Sequence, residues 1–557
     1  QPASADAWSA ELHVWSGDDR GTLADRLEAF GAALDALPAD ADVVLRDVAA
    51  SLAQAWQPRA HRVAIVARDL ADLCKRVAVA AAHLRDGQAP LLPGVVVGTT
   101  DDAGPGKVAL LFSGQGSQYT GMLREAALCL PAVAETLADA DLALNEAFEA
   151  RFGAGGRLSS FIYPRGAYGD DAQREAQQAL TRTDVAQPAL GAVEVGLLRT
   201  LRAMGLAGNM VGGHSYGEFV ALHAAGVMDF DALMQVSAAR GRFIVDAAAA
   251  QGADLGTMAA VAADRARVDD AIAEIDGVVV ANHNGPAQTI ISGTREAVDA
   301  ACKRLADAGV DVTPIPVAAA YHSSLVAPAQ QALSAMIDDA DWRAPTLPVY
   351  ANTTGRPHAP EVERVKRLMA EHLVKPVEFV AQIEAMHADG ARVFVEVGPK
   401  AVLSKLAGRI LGDKPHRAIA VDDGSGIAGF LHGVAQMLCA GVELELAPLF
   451  ARRDCRPGDA AQPQSLSRAV AVPRHAWLLN GSGARRATEP VRQIGVTLEQ
   501  RDAQAAARSA QALVASAPAT PPSTSAAGGA PGATPGHAAA TRGAVPSRSI
   551  SPSPRRS

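Results

Sequence analysis

The sequence predicts an α/β protein: a doubly wound parallel-sheet core with an inserted βαββαβ unit, preceded by a smaller α/β unit. Three observations carry this. Short continuous apolar runs, such as "VALLF" at 108–112 and the strand in "ARVFVEVGP" at 391–399, have the pattern of strands buried on both faces. Helical stretches separate them, which is the alternation of a doubly wound sheet. Residues 256–317 depart from that rhythm with two adjacent strands.

Residues 1–104 form the smaller unit. "ELHVW" (11–15) reads as a strand and "GTLADRLEAFGAAL" (21–34) as a helix. The pair recurs as "HRVAIVA" (61–67) and the helical stretch 69–87, with "GVVVGT" as a third strand. No catalytic cluster appears here, so the unit is expected to be a spacer or adaptor.

The core follows from Lys107. "VALLF" ends in the glycine-rich "SGQGSQ", and "AGNMVGGHS" leads into a second strand–turn–helix. Within 256–317, "TMAAVAA" reads as a strand and "RARVDDAIAEI" as a helix. "GVVVANH" and "AQTIISG" are strands joined by "NGP". "TREAVDAACKRLADAG" is a helix and "VDVTPIPV" a strand. That order is ferredoxin-like. Regular signals fade after about 445. Residues 514–557 are Ala, Pro, Ser, Thr, Gly and Arg without periodicity, so 489–557 is expected to be a disordered linker.

Bulk properties narrow the function. The 51 basic and 60 acidic residues are mixed along the chain, with a net charge of -9, which argues against nucleic acid as the main partner. Five scattered cysteines without CxxC spacing fit a reducing, cytoplasmic setting and neither zinc nor disulfides. No apolar run has membrane-spanning length, and no signal-peptide pattern opens the chain. A first residue of Gln and the low-complexity end read as a segment of a longer polypeptide.

"VGGHSYGEFV" (211–220) places Ser215 between near glycines, after an apolar strand and before an amphipathic helix. On a strand–turn–helix elbow such a serine projects its hydroxyl beside the helix N-terminus. The same pattern also suits a tight packing turn. A nucleophilic serine needs a base. Of 14 histidines, His322 in "AAAYHSSLVAP", at the exit of a strand, is the best placed, while His214 on the sharp turn should point away.

Six motifs in order give these residues a context: "GQGSQ" (114–118), "GHSYGE" (213–218), "ANHNGPAQTIISG" (281–293), "AAYH" (319–322), "YANTTG" (350–355) and "FVEVGPKAVL" (394–403). Together they resemble the malonyl-CoA:acyl-carrier-protein acyltransferase family, in particular the acyltransferase domains of polyketide and fatty-acid synthases. The ending "VPRHAWLLNGSGARR" is closest to iterative synthases of the polyunsaturated-fatty-acid kind. The resemblance covers roughly 105–445. It implies a hydrolase-like core with the ferredoxin-like subdomain at about 256–317. Residues 1–104 are similar to a ketosynthase-to-acyltransferase linker, and 446–488 to a post-acyltransferase linker.

The resemblance also assigns roles. Ser215 is the nucleophile and His322 its general base. The backbone N–H groups of Gln115 and Tyr216 form the oxyanion hole. Arg240 receives the malonyl carboxylate. Tyr321 and Tyr216 favour malonyl over methylmalonyl. A backbone carbonyl, placed at His372, orients His322. Malonyl-CoA is the donor, the acceptor is phosphopantetheine on an acyl carrier protein, ketosynthase domains are partners, and no metal or bound cofactor is required. Three other readings remain open at this point: a serine esterase, which a carboxylate beside His322 would favour; an idle scaffold; and a proofreading hydrolase.

Overall fold

The computed structural model describes residues 6–38, 41–100, 104–166, 169–251, 255–317, 319–468, 477–480 and 483–486. Residues 1–470 form one compact unit and 471–557 a second. The expected disordered linker, 489–557, lies outside the described residues, as do 469–476, 481–482 and 487–488 of the stretch before it. Of the second unit, Trp477–Asn480 pairs antiparallel with Gly483–Arg486.

The smaller N-terminal unit is an antiparallel sheet of β1 (Glu11–Gly17), β2 (His61–Ala67) and β3 (Val95–Thr99), in that order. Helices Arg20–Asp35 and Leu70–Asp86 pack on it, each capped by an aspartate: Asp19 accepts from Thr22 N–H and Asp69 from Asp72 N–H. Trp15, Leu23, Leu27, Ile65 and Leu73 fill the space between. A further helix, Leu45–Gln54, has no counterpart in the sequence reading. Its buried Asp47 accepts from Arg456 N–H and from Arg468, so its polar face is completed by residues about 400 positions later in the chain.

Those later residues form only two short 3-10 turns, Ala447–Phe450 and Pro463–Leu466. Buried Arg453 pairs with Glu11 through both guanidinium arms and lies over the Trp8 ring at 3.9 Å. The stretch 447–468 thus closes over the N-terminal unit.

The core sheet is parallel, in the order β10 (Val349–Tyr350), β5 (Met210–Gly213), β4 (Lys107–Phe112), β11 (Ala391–Glu396), β12 (Arg417–Ala420). Strands β4, β5 and β11 are buried almost throughout, as their unbroken apolar runs require. Helix Thr183–Ala203 packs within the core and is buried over nearly its whole length. The loops that leave β4, β5, β10 and β11 at their carboxyl ends gather on one edge, where open α/β sheets bind ligands.

Between helix Phe230–Gln251 and residue 319, the chain forms a second sheet. It runs β6 (Thr257–Val261), helix Arg265–Ile272, β7 (Val278–Gly285), β8 (Gln288–Gly293), helix Arg295–Asp307 and β9 (Val312–Ile315). All pairings are antiparallel and the order is β7-β8-β6-β9. His283 N–H bonds to Val377 O, joining this sheet to the loops of the core.

Candidate active site

The turn after β5 places Ser215 in the left-handed backbone region, φ 50°, a conformation that non-glycine residues hold only when their surroundings enforce it. The enforcement comes from both sides. A Cβ on Gly213 would lie 2.0 Å from the carbonyl carbon of Gly217, and one on Gly217 would lie 2.1 Å from Phe112 O, so both positions need glycine. Asn352, fully buried in the loop after β10, accepts from Ser215 N–H at 2.6 Å and donates to Gly213 O at 2.7 Å. Its own N–H donates to Glu218 Oε2 at 2.9 Å, and Glu218 Oε1 accepts from His358 at 2.6 Å. Burial pushes the Glu218 carboxyl up, but the imidazoles of His358 and His372 outweigh it and hold it at about 2. An anchored carboxylate therefore lies beneath the elbow.

The sequence pairs Ser215 with His322, and the two meet: Ser215 Oγ lies 2.9 Å from His322 Nε2. His322 is also left-handed, φ 59°. Its Nδ1 is 2.8 Å from the carbonyl of Lys375. A carbonyl only accepts, so Nδ1 carries the proton and Nε2 is free to receive the one on Ser215. The orienting carbonyl was expected at His372, and this is corrected: it belongs to Lys375. Leu373 O is taken by His322 N–H, and the His372 ring turns to Glu218, its Nε2 3.3 Å from Oε2. Burial holds the His322 imidazole well below its ordinary value, helped by His372 and Arg240 nearby, so it is neutral at physiological pH. His214 points elsewhere, to Asn284 Oδ1 at 2.7 Å.

The loop after β4 approaches closely: a Cβ on Gly114 would meet His214 O at 2.3 Å. Among the described residues, the N–H groups of Gln115 and Tyr216 donate to no protein acceptor. Glu194 holds the start of this loop, accepting from Ser113 N–H at 2.9 Å and Ser113 Oγ at 2.6 Å. Burial drives its carboxyl well above the usual carboxylate range.

A cleft of about 170 Å³ opens on Ser215 and His322, lined also by Gln115, Arg240 and Tyr321, with one wall from the inserted sheet. Arg240 is 2% exposed. Its Nε and Nη2 have no hydrogen-bond partner, and among the described residues no carboxylate pairs with it. Burial pulls the guanidinium down to about 10, which still leaves it charged at pH 7. An isolated buried charge is costly, so this arrangement suits an anion brought by a ligand. Tyr321 lines the cleft as expected. Tyr216 lies behind the cleft wall: its ring is fully buried and its hydroxyl is 2.7 Å from Ser237 Oγ.

Asn352, Glu218, Glu194 and Lys375 were not singled out from the sequence. The first two sit inside quoted motifs, and their signal is polarity in segments otherwise built for burial. A larger cavity, about 630 Å³ and walled by Met228 and Trp342, shares no residue with the cleft. Among the described residues no helix is long and apolar enough to cross a membrane.

The family model described as an acyl transferase domain matches residues 109–420. A polyunsaturated fatty acid synthase polypeptide of Thraustochytrium sp. is 32% identical over 352 residues, covering 61% of this chain and 12% of that protein. The chain thus spans a small part of that relative. The malonyl CoA-acyl carrier protein transacylase of Bacillus subtilis is 32% identical over 320 residues, covering 57% of this chain and 94% of that one. Among solved structures, the acyltransferase domain from the second module of the salinomycin polyketide synthase superposes with a TM-score of 0.60 at 29% identity, covering 78% of this chain and 95% of that one.

Proposed function

The chain belongs to the acyltransferase domain family and is an acyltransferase, and from that premise we propose that it moves a malonyl group from malonyl-CoA to the phosphopantetheine thiol of an acyl carrier protein. The observation that carries the substrate is Arg240. A planar guanidinium with two unpartnered nitrogens, Nε and Nη2, buried in the same cleft as Ser215 and His322, matches a carboxylate better than Lys would. Acetyl-CoA would leave that charge unpaired, and its transfer should be disfavoured accordingly.

Ser215 Oγ gives its proton to His322 Nε2 and attacks the thioester carbonyl. The negative oxygen is received by the N–H groups of Gln115 and Tyr216, each such donor being worth about 100- to 1,000-fold in rate. The tetrahedral intermediate collapses, and the departing CoA sulfur takes the proton from His322. A carrier thiol then gives its proton to the same nitrogen, attacks the malonyl-serine and restores Ser215. One site thus serves two half-reactions in ping-pong order. A carbonyl partner for His322, rather than a carboxylate, weighs against the esterase reading.

The reading extends to domain organisation: 1–104 as ketosynthase-to-acyltransferase linker, 105–445 as the transfer domain with a ferredoxin-like subdomain at about 256–317, 446–488 as the following linker and 489–557 as a tether. Carrier-protein and ketosynthase domains are the implied partners, in a cytoplasmic setting and without a bound cofactor.

The test is intact-protein mass after brief mixing with malonyl-, acetyl- or methylmalonyl-CoA, beside Ser215→Ala. A malonyl-sized adduct on the parent alone is expected. Steady CoA release without an adduct would favour a hydrolase.

A further inference from the structure

Tyr321, a wall of the cleft, is held by its far end. Its hydroxyl lies 2.5 Å from Thr183 Oγ1. Thr183 is fully buried and is the first residue of the core helix Thr183–Ala203. The same Oγ1 accepts from Gln115 Nε2 at 3.3 Å, and Gln115 Nε2 also reaches Thr181 O at 3.4 Å. The threonine hydroxyl is therefore a node joining the Tyr321 ring, the helix and the loop after β4.

We propose that Thr183 is a specificity-positioning residue: it fixes the Tyr321 ring as an unyielding wall, so that an acyl donor branched at the α-carbon is rejected. This rests on the malonyl-transfer reading. The physical argument concerns stiffness. A well-packed pocket accepts an extra methyl by turning a neighbouring side chain, and loses discrimination in doing so. A tyrosine ring swings about χ1, and a hydrogen bond at its tip restrains that swing. Phenylalanine at 321 would present the same face without the restraint. Valine at 183 keeps the shape of threonine but removes the tyrosine hydroxyl's closest partner, leaving it only the Gln115 amide, so the ring is freer to turn.

The experiment measures the ratio of kcat/KM for methylmalonyl-CoA to that for malonyl-CoA in the parent, Thr183→Val, Tyr321→Phe, the double variant and Thr183→Ser. The ratio should rise about 3- to 10-fold in either single variant, the worth of one hydrogen bond. The double variant should match Tyr321→Phe, which already removes the hydroxyl that Thr183 holds. Thr183→Ser, which keeps the hydroxyl, should stay near the parent. Should Thr183→Val not fold, Tyr321→Phe probes the same bond from the other side. A parent-like ratio in variants that still load malonyl, or a double variant with summed effects, overturns the lock alone. A parent that accepts no malonyl overturns the transfer reading and the lock with it.

Discussion

Asn352 Oδ1 lies 2.6 Å from the backbone N–H of Ser215, and the same side chain donates to Gly213 O, so one amide spans the elbow from both sides. Asn352→Ala should lower both stability and acylation. Each buried backbone group left unpaired costs about 1–3 kcal/mol, and a loosened elbow misplaces Oγ relative to His322. Asn352→Asp keeps the acceptor for Ser215 but loses the donor to Gly213, so its melting temperature should lie between parent and alanine variant. Thermal unfolding and the rate of malonyl adduct formation check both.

Arg240→Ala should lower kcat/KM for malonyl-CoA by about 30-fold to several thousand-fold, as expected for truncating a buried charge partner worth 2–5 kcal/mol. Preference over acetyl-CoA should vanish at the same time. Arg240→Lys should recover little, since an ammonium cannot present two parallel donors. Equal loss toward both donors would instead mark Arg240 as a packing residue.

The base should work below the usual histidine range. His322 is held well below 6.5 by burial, with His372 and the Arg240 guanidinium nearby, so it remains unprotonated as pH falls through 6.5. The acylation rate should stay level across that value and decline only in more acidic solution. A half-maximal rate at 6.5 would contradict this.

Stability should move the other way over part of that range. His13, buried in the N-terminal unit, is held by burial at about 4. Its folded value is depressed, so the unfolded chain binds a proton that the folded chain refuses. Stability is therefore full above 6.5 and is lost as pH falls from 6.5 toward 4. His13→Gln should flatten that decline in denaturant titrations repeated at several pH values.

Arg453→Ala should be among the most destabilising single changes, at about 3–5 kcal/mol, because it strands a buried carboxylate. Glu11 is that carboxylate: burial pushes it up and Arg453 pulls it back. Glu11→Gln combined with Arg453→Met should recover much of the loss, which urea unfolding of the three variants would register.

Much of the core was legible from residue pattern alone. The runs around Leu110, Val211 and Val395 read as buried strands because burial on both faces removes polar alternation. Ser215 and His322 carried their own chemical signal. The carbonyl of Lys375 did not, since every residue has one and only the fold selects which faces His322. The full burial of Tyr216 was not legible either, since its hydroxyl finds Ser237, 21 positions later, only in the fold. The helix Leu45–Gln54 was hidden for a different reason: its Asp47 and Ser51 look like surface residues until Arg468 and Gly458 arrive to bond them.

The Arg453–Glu11 contact joins positions separated by 442 in sequence. At about 5–20 residues per second, a ribosome needs roughly 20–90 s to make the intervening chain. Within residues 6–468 the N-terminal unit is therefore begun before the core and completed after it. Its three strands can pair early, but Trp8 and Glu11 wait uncovered until the stretch 447–468 closes over them, a late step dominated by loop-closure entropy. During that interval the unfinished surface around Trp8 and Glu11 lies open, and a holding chaperone would bind there.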